Sequence, residues 1–426
     1  MYGLHESTTA NLLDFFSFYV LQNTIPAVLL IATAKRSPLR YLAIPCMICI
    51  ASRFIRPFAP AGSPAWCQAI SQLIIVTLQA TNVLLINPLD RHDLSRVVKG
   101  NTLVAYFFAA LRVLVQIRGI NTPWQVKNIP PQPRYYVRQG KLSMPRSRFL
   151  FRQSAILAWQ YLALDIVQTT SIQQAPPPGT LSSTVVWNVS GSQWLERAGT
   201  HLSIWFVVNR IIGDSAYRLL SIISVGTNME SPSDWPPMFG RMADTYTLRN
   251  FWGKFWHQFL RQPFTSISNF IARDILSLRR SSLLERYTNI FIVFFCSAVF
   301  HVMVDMLQSL PMEYSGSIPF YLAFVLGIML EDGVQALWRR FAGSDSEQAS
   351  SHGAVPPAWH KVVGMAWTMT WLAITSTWYF TPVIQLTNPD MFMVPFSLAE
   401  ITGLPIAVGA AVVSGLVLVR VFEIEL

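Results

Sequence analysis

The sequence predicts an all-α protein, a polytopic transmembrane helical bundle of about nine spans. Of its 426 residues, 52% are hydrophobic and only 13% are charged, whereas soluble domains carry about 25% charged residues. The mean hydropathy is +0.37. Apolar runs of about 20 residues, the length that crosses a lipid bilayer, recur along the chain. Together these observations indicate a protein that lies mostly in the bilayer.

The predicted spans follow one another without an intervening soluble domain or an evident repeat. They are residues 12–33, 66–87, 101–117, 149–170, 200–223, 287–309, 318–338, 360–382 and 401–420. A further apolar run, 41–52, is short for a span and is predicted to be re-entrant or half-buried. Residues 1–426 are therefore predicted to form one integral membrane domain.

The basic residues are concentrated in alternate loops. The net charge is +10, with seven Lys or Arg residues in 118–148 and eight in 225–286. This distribution predicts membrane topology rather than nucleic-acid binding. It places both of these loops in the cytosol, together with residues 339–359 and the C-terminus. Asn188 begins an N-glycosylation sequon in a loop assigned to the lumen, which agrees with that orientation.

One cytosolic segment, residues 247–261, is predicted to be an amphipathic helix in the membrane interface. At roughly 100° per residue, one face collects the apolar residues Leu248, Phe251, Trp252, Phe255, Trp256 and Phe259. The opposite face collects Arg249, Asn250, Lys254, His257 and Arg261. Thr245 or Thr247 is predicted to cap the helix and Pro263 to end it.

Two interpretations of this helix stay open. In the first, it is an interfacial anchor and its histidine is incidental. In the second, three cations around one imidazole receive a phosphorylated anionic ligand from the cytosol, such as coenzyme A. The rigid, proline-rich "WPPMFG" that precedes the helix favours a fixed position for it.

Ionisable residues inside predicted spans are costly and indicate function. Ser297, His301, Asp305 and Gln308 recur at helical spacing in "FFCSAVFHVMVDMLQ" and are predicted to form one polar stripe. A buried, neutral His301 can take a proton from a hydroxyl group, and Asp305 is one turn away, where it can hold the tautomer. The alternative is a packing histidine that hydrogen-bonds to a neighbouring helix.

Two further groups of ionisable residues are predicted to be structural. Glu331, Gln335 and Arg339 share one helix face beside Asp332, as a Glu–Arg network that braces helices. Arg210, Asp214 and Arg218 recur every four residues and are predicted to form an intrahelical ion-pair ladder.

Several chemistries find no motif in the sequence. There is no P-loop, dinucleotide fingerprint or G-x-S-x-G elbow. Paired Asp-rich motifs and HExxH spacing are also absent, so no metal and no bound cofactor are predicted.

A family resemblance rests on "PPMFG…TYTLRNFWGKFWHQFLR", followed about forty residues later by an intramembrane "FH". These motifs resemble the wax synthase-like branch of membrane-bound O-acyltransferases, and more specifically fungal O-acetyltransferases of meroterpenoids and related terpenoids. "RGINTPWQVKN" at 118–128 and "EDGVQ" at 331–335 support the resemblance. It implies a catalytic core at 235–310, with His301 as general base. His257 matches a position where the family has Asn or His.

The resemblance also implies direct acyl transfer from acyl-CoA, most simply acetyl-CoA, to a lipophilic alcohol in the endoplasmic reticulum membrane. The expected donor contacts are Arg249, Lys254, Arg261, Trp252 and Trp256, and the three cations among them are assigned from the helical wheel of residues 247–261 rather than from the resemblance. The expected supporting residues are Asp305, Ser297, Glu331 and Gln335. A long-chain wax ester synthase, a transporter and a membrane terpene cyclase stay open as alternatives, and the sequence gives no oligomeric state.

Overall fold

The structure, a computed structural model, is almost entirely helical. It describes residues 2–58, 64–98, 100–138, 141–172, 190–308, 310–341, 357–386 and 393–422. A two-residue hairpin, Val137–Arg138 paired antiparallel with Lys141–Leu142, is the only sheet among these residues. The predicted all-α class is therefore confirmed. Asn188 lies outside the described residues, so its glycosylation stays a prediction.

The chain divides into two compact units. The first contains Met1–Val126 and Phe259–Glu313. Numbered in chain order, its helices are α1 (Tyr2–Ala32), α2 (Leu39–Phe58), α3 (Pro64–Thr81), α4 (Arg91–Leu94), α5 (Leu103–Val115), α10 (Arg261–Asn269) and α11 (Leu283–Leu307). Leu260, Phe264 and Phe300 are buried in one apolar cluster, which packs α10 against α11.

The second unit contains Lys127–Gln258 and Tyr314–Leu426. Its helices are α6 (Arg146–Val167), α7 (Gly191–Ser203), α8 (Arg210–Gly226), α9 (Leu248–Asn250), α12 (Ser317–Phe341), α13 (Ala358–Leu386), α14 (Leu398–Thr402) and α15 (Leu404–Phe422). The helices α6 and α8 pack along each other. The prediction of one domain with a catalytic core at 235–310 stays a prediction.

Four described helices are long and apolar enough to cross a membrane. They are Asp14–Ala32, Leu283–Leu307, Met312–Phe341 and Leu404–Phe422. The predicted number of about nine is not confirmed. Two of the other predicted spans are shorter apolar helices, Ile70–Ile86 and Leu103–Val115. A third, α6, buries four polar side chains, those of Arg152, Gln153, Gln160 and Asp165, which lower its hydropathy.

The predicted single helix over 247–261 is wrong. The helix α9 is followed by a π-helical turn, Phe251–Phe255, and Trp256 is extended with φ −67° and ψ 151°. A new helix then begins at Arg261. Pro263 does not end a helix but lies in the first turn of α10, where its missing N–H has no intrahelical acceptor to lose.

Two carbonyl groups explain the break. In a continuous helix, the carbonyl oxygens of Gly253 and Phe255 would accept the N–H groups four residues later. Instead, Gly253 accepts from the Asn128 side-chain amide at 3.0 Å, and Phe255 accepts from the Gly240 N–H at 2.9 Å. These partners from elsewhere in the second unit replace the helical hydrogen bonds. Thr247 is a confirmed cap, because its side chain accepts from the Asn250 N–H.

Candidate functional site

The aromatic segment, residues 248–258, is fixed at its start by a buried carboxylate. Glu331 on α12 accepts the Leu248 N–H at 2.5 Å and the Trp367 indole N–H at 3.0 Å. The residue is 8% exposed. Since a negative charge favours the N-terminus of a helical turn, Glu331 sets where the segment begins.

The end of the segment is fixed by Asn128 and Gly240. The Asn128 carbonyl accepts the Gln258 side-chain amide at 2.6 Å, while its own amide reaches Gly253. Asn128 has φ +62°, a conformation that asparagine tolerates better than most residues. A Cβ added at Gly240 would lie 2.2 Å from the Lys254 carbonyl oxygen, so no side chain fits there.

The aromatic side chains of the segment pack inside the second unit, where Trp252 is half-buried and the others are buried. Phe251 and Phe255 are both 0% exposed. Trp205, from the π-helical turn after α7, packs edge-on against Trp252 and Trp256, with ring centroids 6.1 and 4.7 Å away. Trp252 also packs against Tyr321 and Phe324 on α12. These contacts give the rings a structural role within the protein.

His257 directly follows the extended residue Trp256, just after this packing. Its ring centroid is 5.5 Å from that of Trp256 and 6.1 Å from that of Phe239. The side chain is half-buried. Phe239 belongs to the "PPMFG" motif, which is itself anchored by a hydrogen bond from the Tyr217 hydroxyl to the Pro236 carbonyl, 2.8 Å long.

The three predicted donor-binding cations have different environments. Arg249 forms an ion pair with Asp332 at 2.9 Å, and Lys254 is exposed. Arg261 begins α10, and burial lowers the pKa of its guanidinium below the usual value. Because the backbone is broken between Lys254 and Arg261, the prediction that they share one helix face is wrong. Their roles in donor binding, and those of Trp252 and Trp256, stay predictions.

His301 lies on α11, a regular helix of 25 residues. Its Nδ1 is 2.8 Å from the carbonyl oxygen of Ser297, one turn earlier. A carbonyl oxygen can only accept, so Nδ1 carries the hydrogen, and the lone pair of the neutral ring is on Nε2. The backbone of Ser297, rather than its hydroxyl, makes this contact. Asp305, 1% exposed on the same helix, stays a predicted supporting residue.

The predicted Glu331–Gln335–Arg339 network has different partners in the structure. Glu331 bonds to Leu248 and Trp367, as above, whereas the Arg339 Nε donates to the Gln335 carbonyl at 3.2 Å. The Gln335 side chain is exposed. In the ladder, Arg218 pairs with Asp214 at 2.6 Å, while Arg210 lies over the rings of Phe239 and Phe255.

Three residues that position the segment were missed as site residues. Asn128 ends the motif "RGINTPWQVKN" and Gly240 ends "WPPMFG", and an Asn or Gly in a loop is a signal for unusual backbone geometry. Trp205 carries no such signal, because a tryptophan in an apolar run is expected in any membrane helix. His301 belongs to the first unit and His257 to the second.

The comparisons with known proteins agree with these motifs. A family model described as "Membrane bound O-acyl transferase family" matches residues 235–325, a range that includes both the aromatic segment and His301. The chain belongs to this family, and it is an integral membrane O-acyltransferase enzyme. No solved structure matches it.

Its similar relatives are fungal acetyltransferases. The chain is 40% identical to acetyltransferase spyB of Aspergillus fumigatus, over 96% of its own length and 71% of that relative. It is 39% identical to acetyltransferase atnC of an Arthrinium species, over 92% of each chain. Acetyltransferase TRI7 of Fusarium sporotrichioides is 34% identical, over 98% of this chain and 97% of the relative. These similarities place the chain in acyl transfer of secondary metabolism.

Proposed function

We propose that this enzyme transfers an acetyl group from acetyl-CoA to a hydroxyl group of a lipophilic alcohol, a terpenoid or meroterpenoid, in the endoplasmic reticulum membrane. The names of the relatives support the acetyl group. The observation that carries the chemistry is the hydrogen bond between the His301 Nδ1 and the Ser297 carbonyl. It leaves Nε2 as the basic nitrogen of a neutral imidazole, which is what a general base requires.

In this proposal, transfer is direct. The Nε2 of His301 takes the hydroxyl proton as the alcohol oxygen attacks the thioester carbonyl. The resulting oxyanion is stabilised by His257 or a nearby donor. When the tetrahedral intermediate collapses, the C–S bond breaks, the thiolate of CoA leaves, and the proton on His301 neutralises it. We infer that transfer takes place within the bilayer, where water, which would otherwise compete with the alcohol as acceptor, is excluded.

The donor is proposed to enter from the cytosol beside the aromatic segment. Lys254 is the best placed of the predicted cations, because its side chain is exposed. Arg249 would have to share its charge between the donor and Asp332. Trp252 and Trp256 would border the donor site from within the aromatic packing.

The test uses microsomes from a yeast host that expresses the full chain. They are incubated with radiolabelled acetyl-CoA and a panel of terpenoid alcohols, with microsomes of the His301→Ala variant as the matched control. We expect labelled acetate ester with at least one polycyclic alcohol and none with the variant. Preferential label transfer from a long-chain acyl-CoA to a fatty alcohol would replace the proposal by wax ester synthesis.

The orientation has a test of its own. If the loop 171–199 is lumenal, glycosidase treatment of the microsomal protein should increase its gel mobility, and the Asn188→Gln variant should lack that shift. A wild-type chain without any shift would remove this support for the proposed orientation.

A further inference from the structure

A group of donors in the second unit has no counterpart in the proposed reaction. The arginine–tyrosine cluster consists of Tyr135, Tyr136, Arg148, Arg152 and Trp235. The Arg148 guanidinium carbon lies 3.9 Å from the ring centroid of Tyr135, and that of Arg152 lies 5.6 Å from the ring of Tyr136. Tyr135, Tyr136 and Trp235 belong to one apolar cluster with Phe149 and Val225.

Three buried N–H donors in this cluster, besides the Tyr136 hydroxyl, lack a hydrogen-bond partner among the described residues. They are the Nη1 of Arg148, the Nε of Arg152 and the indole Nε1 of Trp235. Arg152 is only 5% exposed. A buried donor without an acceptor is destabilising, and the charge of Arg152, which forms no direct ion pair, is compensated only in part by the Tyr136 hydroxyl, the Asp214 carboxylate and the tyrosine rings. This arrangement is favourable once a ligand supplies the missing acceptors.

The charge of the cluster points to an anion. Arg218, whose charge acts on Arg152, is already paired with Asp214 at 2.6 Å. Neither Arg148 nor Arg152 forms an ion pair with any described residue. Glu230 and Asp234, close to Trp235 in the chain, accept hydrogen bonds from Ser224 and Ser231. Two guanidinium groups and an indole N–H match the several acceptor oxygens of a phosphate group.

We propose that the arginine–tyrosine cluster binds a phosphate group. The phosphate belongs to the nucleotide end of the acyl donor, an assignment that rests on the proposed function, or to a phospholipid headgroup. The cluster joins the two predicted cytosolic loops, since Tyr135 and Arg148 lie in 118–148 and Trp235 lies in 225–286. Both sources of phosphate are available on that side of the membrane.

The experiment measures binding of CoA, 3′-dephospho-CoA and fluorescent phosphatidic acid to the full chain in detergent micelles. The variants are Arg148→Gln, Arg152→Gln and Trp235→Phe, of which the last removes one N–H and keeps an aromatic ring. Arg280→Gln is the control, because it makes the same charge change at an exposed position. Size-exclusion profiles identify any variant that fails to fold. If Arg152→Gln fails to fold, the variants at the half-buried residues Arg148 and Trp235 still test the proposal.

If the cluster holds the donor, Arg148→Gln weakens CoA binding by about tenfold, as expected when one charge-assisted contact is lost. Trp235→Phe weakens it less, and Arg280→Gln leaves it unchanged. If the variants lose more affinity for CoA than for 3′-dephospho-CoA, the cluster binds the 3′-phosphate. If the two losses of affinity are equal, the cluster binds the diphosphate.

Unchanged CoA binding with loss of phosphatidic acid binding also supports the phosphate site and assigns it to lipid. If no cluster variant alters the binding of either probe, the proposal is overturned. A wild-type chain that binds no CoA contradicts the proposed donor instead, and the phosphatidic acid measurements then decide the phosphate site independently.

Discussion

His301 and His257 lie on segments whose backbones are stabilised in different ways. The helix α11 satisfies its own hydrogen bonds over 25 residues, and it orients His301 through the Ser297 carbonyl one turn away. The aromatic segment has only one short helical turn and one π-helical turn. Four of its other polar groups, on Leu248, Gly253, Phe255 and Gln258, bond to Asn128, Gly240 or Glu331, which are distant in sequence.

The difference separates two ways of positioning a reactive side chain. On α11, local geometry is sufficient, so a substitution of the side chain should change chemistry and leave the backbone intact. In the aromatic segment, the position of His257 depends on distant partners. A substitution of one of those partners should therefore change stability and activity together.

The largest expected effect is that of a substitution on α11. His301→Ala should lower the rate of acyl transfer by at least about 100-fold, because a general base contributes that much or more. Expression and thermal unfolding temperature should stay near those of the wild type. Steady-state assays on microsomes check the rate.

Ser297→Ala is its matched control. Since the backbone carbonyl of Ser297 makes the hydrogen bond, removal of the hydroxyl should leave activity within about threefold of the wild type. Near-wild-type turnover of His301→Ala would remove His301 from the reaction. A large loss in Ser297→Ala would instead assign its hydroxyl a role that the structure does not indicate.

Among the substitutions that act on the aromatic segment, Gly240→Ala should be the most destabilising. Its new Cβ would lie 2.2 Å from the Lys254 carbonyl oxygen, and because the backbone must move to relieve the overlap, we expect a loss of about 3 kcal/mol. Gly253→Ala is the control, since a Cβ there meets nothing within 4 Å. Thermal unfolding in detergent measures both. Equal unfolding temperatures would show that Gly240 does not restrain the segment.

Glu331→Ala should lower the free energy of unfolding by about 2 kcal/mol, because the Leu248 N–H and the Trp367 indole would lose their acceptor. Glu331→Gln keeps an acceptor oxygen at the same place and should lose less. The same detergent unfolding assay, combined with acyl transfer rates, checks this order. If Glu331→Gln lowers the free energy of unfolding as much as Glu331→Ala does, the charge rather than the hydrogen bonds fixes the start of the segment.

Asn128 should give the smallest effect. Asn128→Gly keeps a backbone that accepts φ +62° and removes only the hydrogen bond to Gly253, so we expect about 1 kcal/mol. Asn128→Ala should lose more, because it adds backbone strain. If Asn128→Gly leaves the free energy of unfolding unchanged, the π-helical turn forms without this partner.

The sequence predicted one of these regions better than the other. Apolar periodicity with a polar stripe was enough to place His301 on a long helix, and the structure has that helix. The same periodicity applied to 247–261 predicted a continuous helix and gave the wrong faces. It could not account for the carbonyls of Gly253 and Phe255, whose hydrogen-bond partners lie 125 and 15 residues away in the chain.

The predicted supporting residues show the same division. Glu331 was predicted to brace helices, and it does so, but through Leu248 and Trp367 rather than through Arg339. Trp252 and Trp256 were predicted to lie in the membrane interface because the periodicity puts them on the apolar face of an amphipathic helix. Their packing against Trp205 became visible only in the structure, since nothing in the apolar run around Trp205 distinguishes a protein contact from a lipid contact.

Sequence alone determined the all-helical class, the membrane setting, the enzyme family and the helix that carries His301. These features depend on composition, on short motifs and on hydrogen bonds between residues four apart, all of which can be read locally. Tertiary structure decided where the aromatic segment breaks, what fixes its two ends and which of the described arginines are buried without a direct ion pair. Those outcomes depend on which distant groups compete for each backbone carbonyl and each charge, and a local pattern contains no information about that competition.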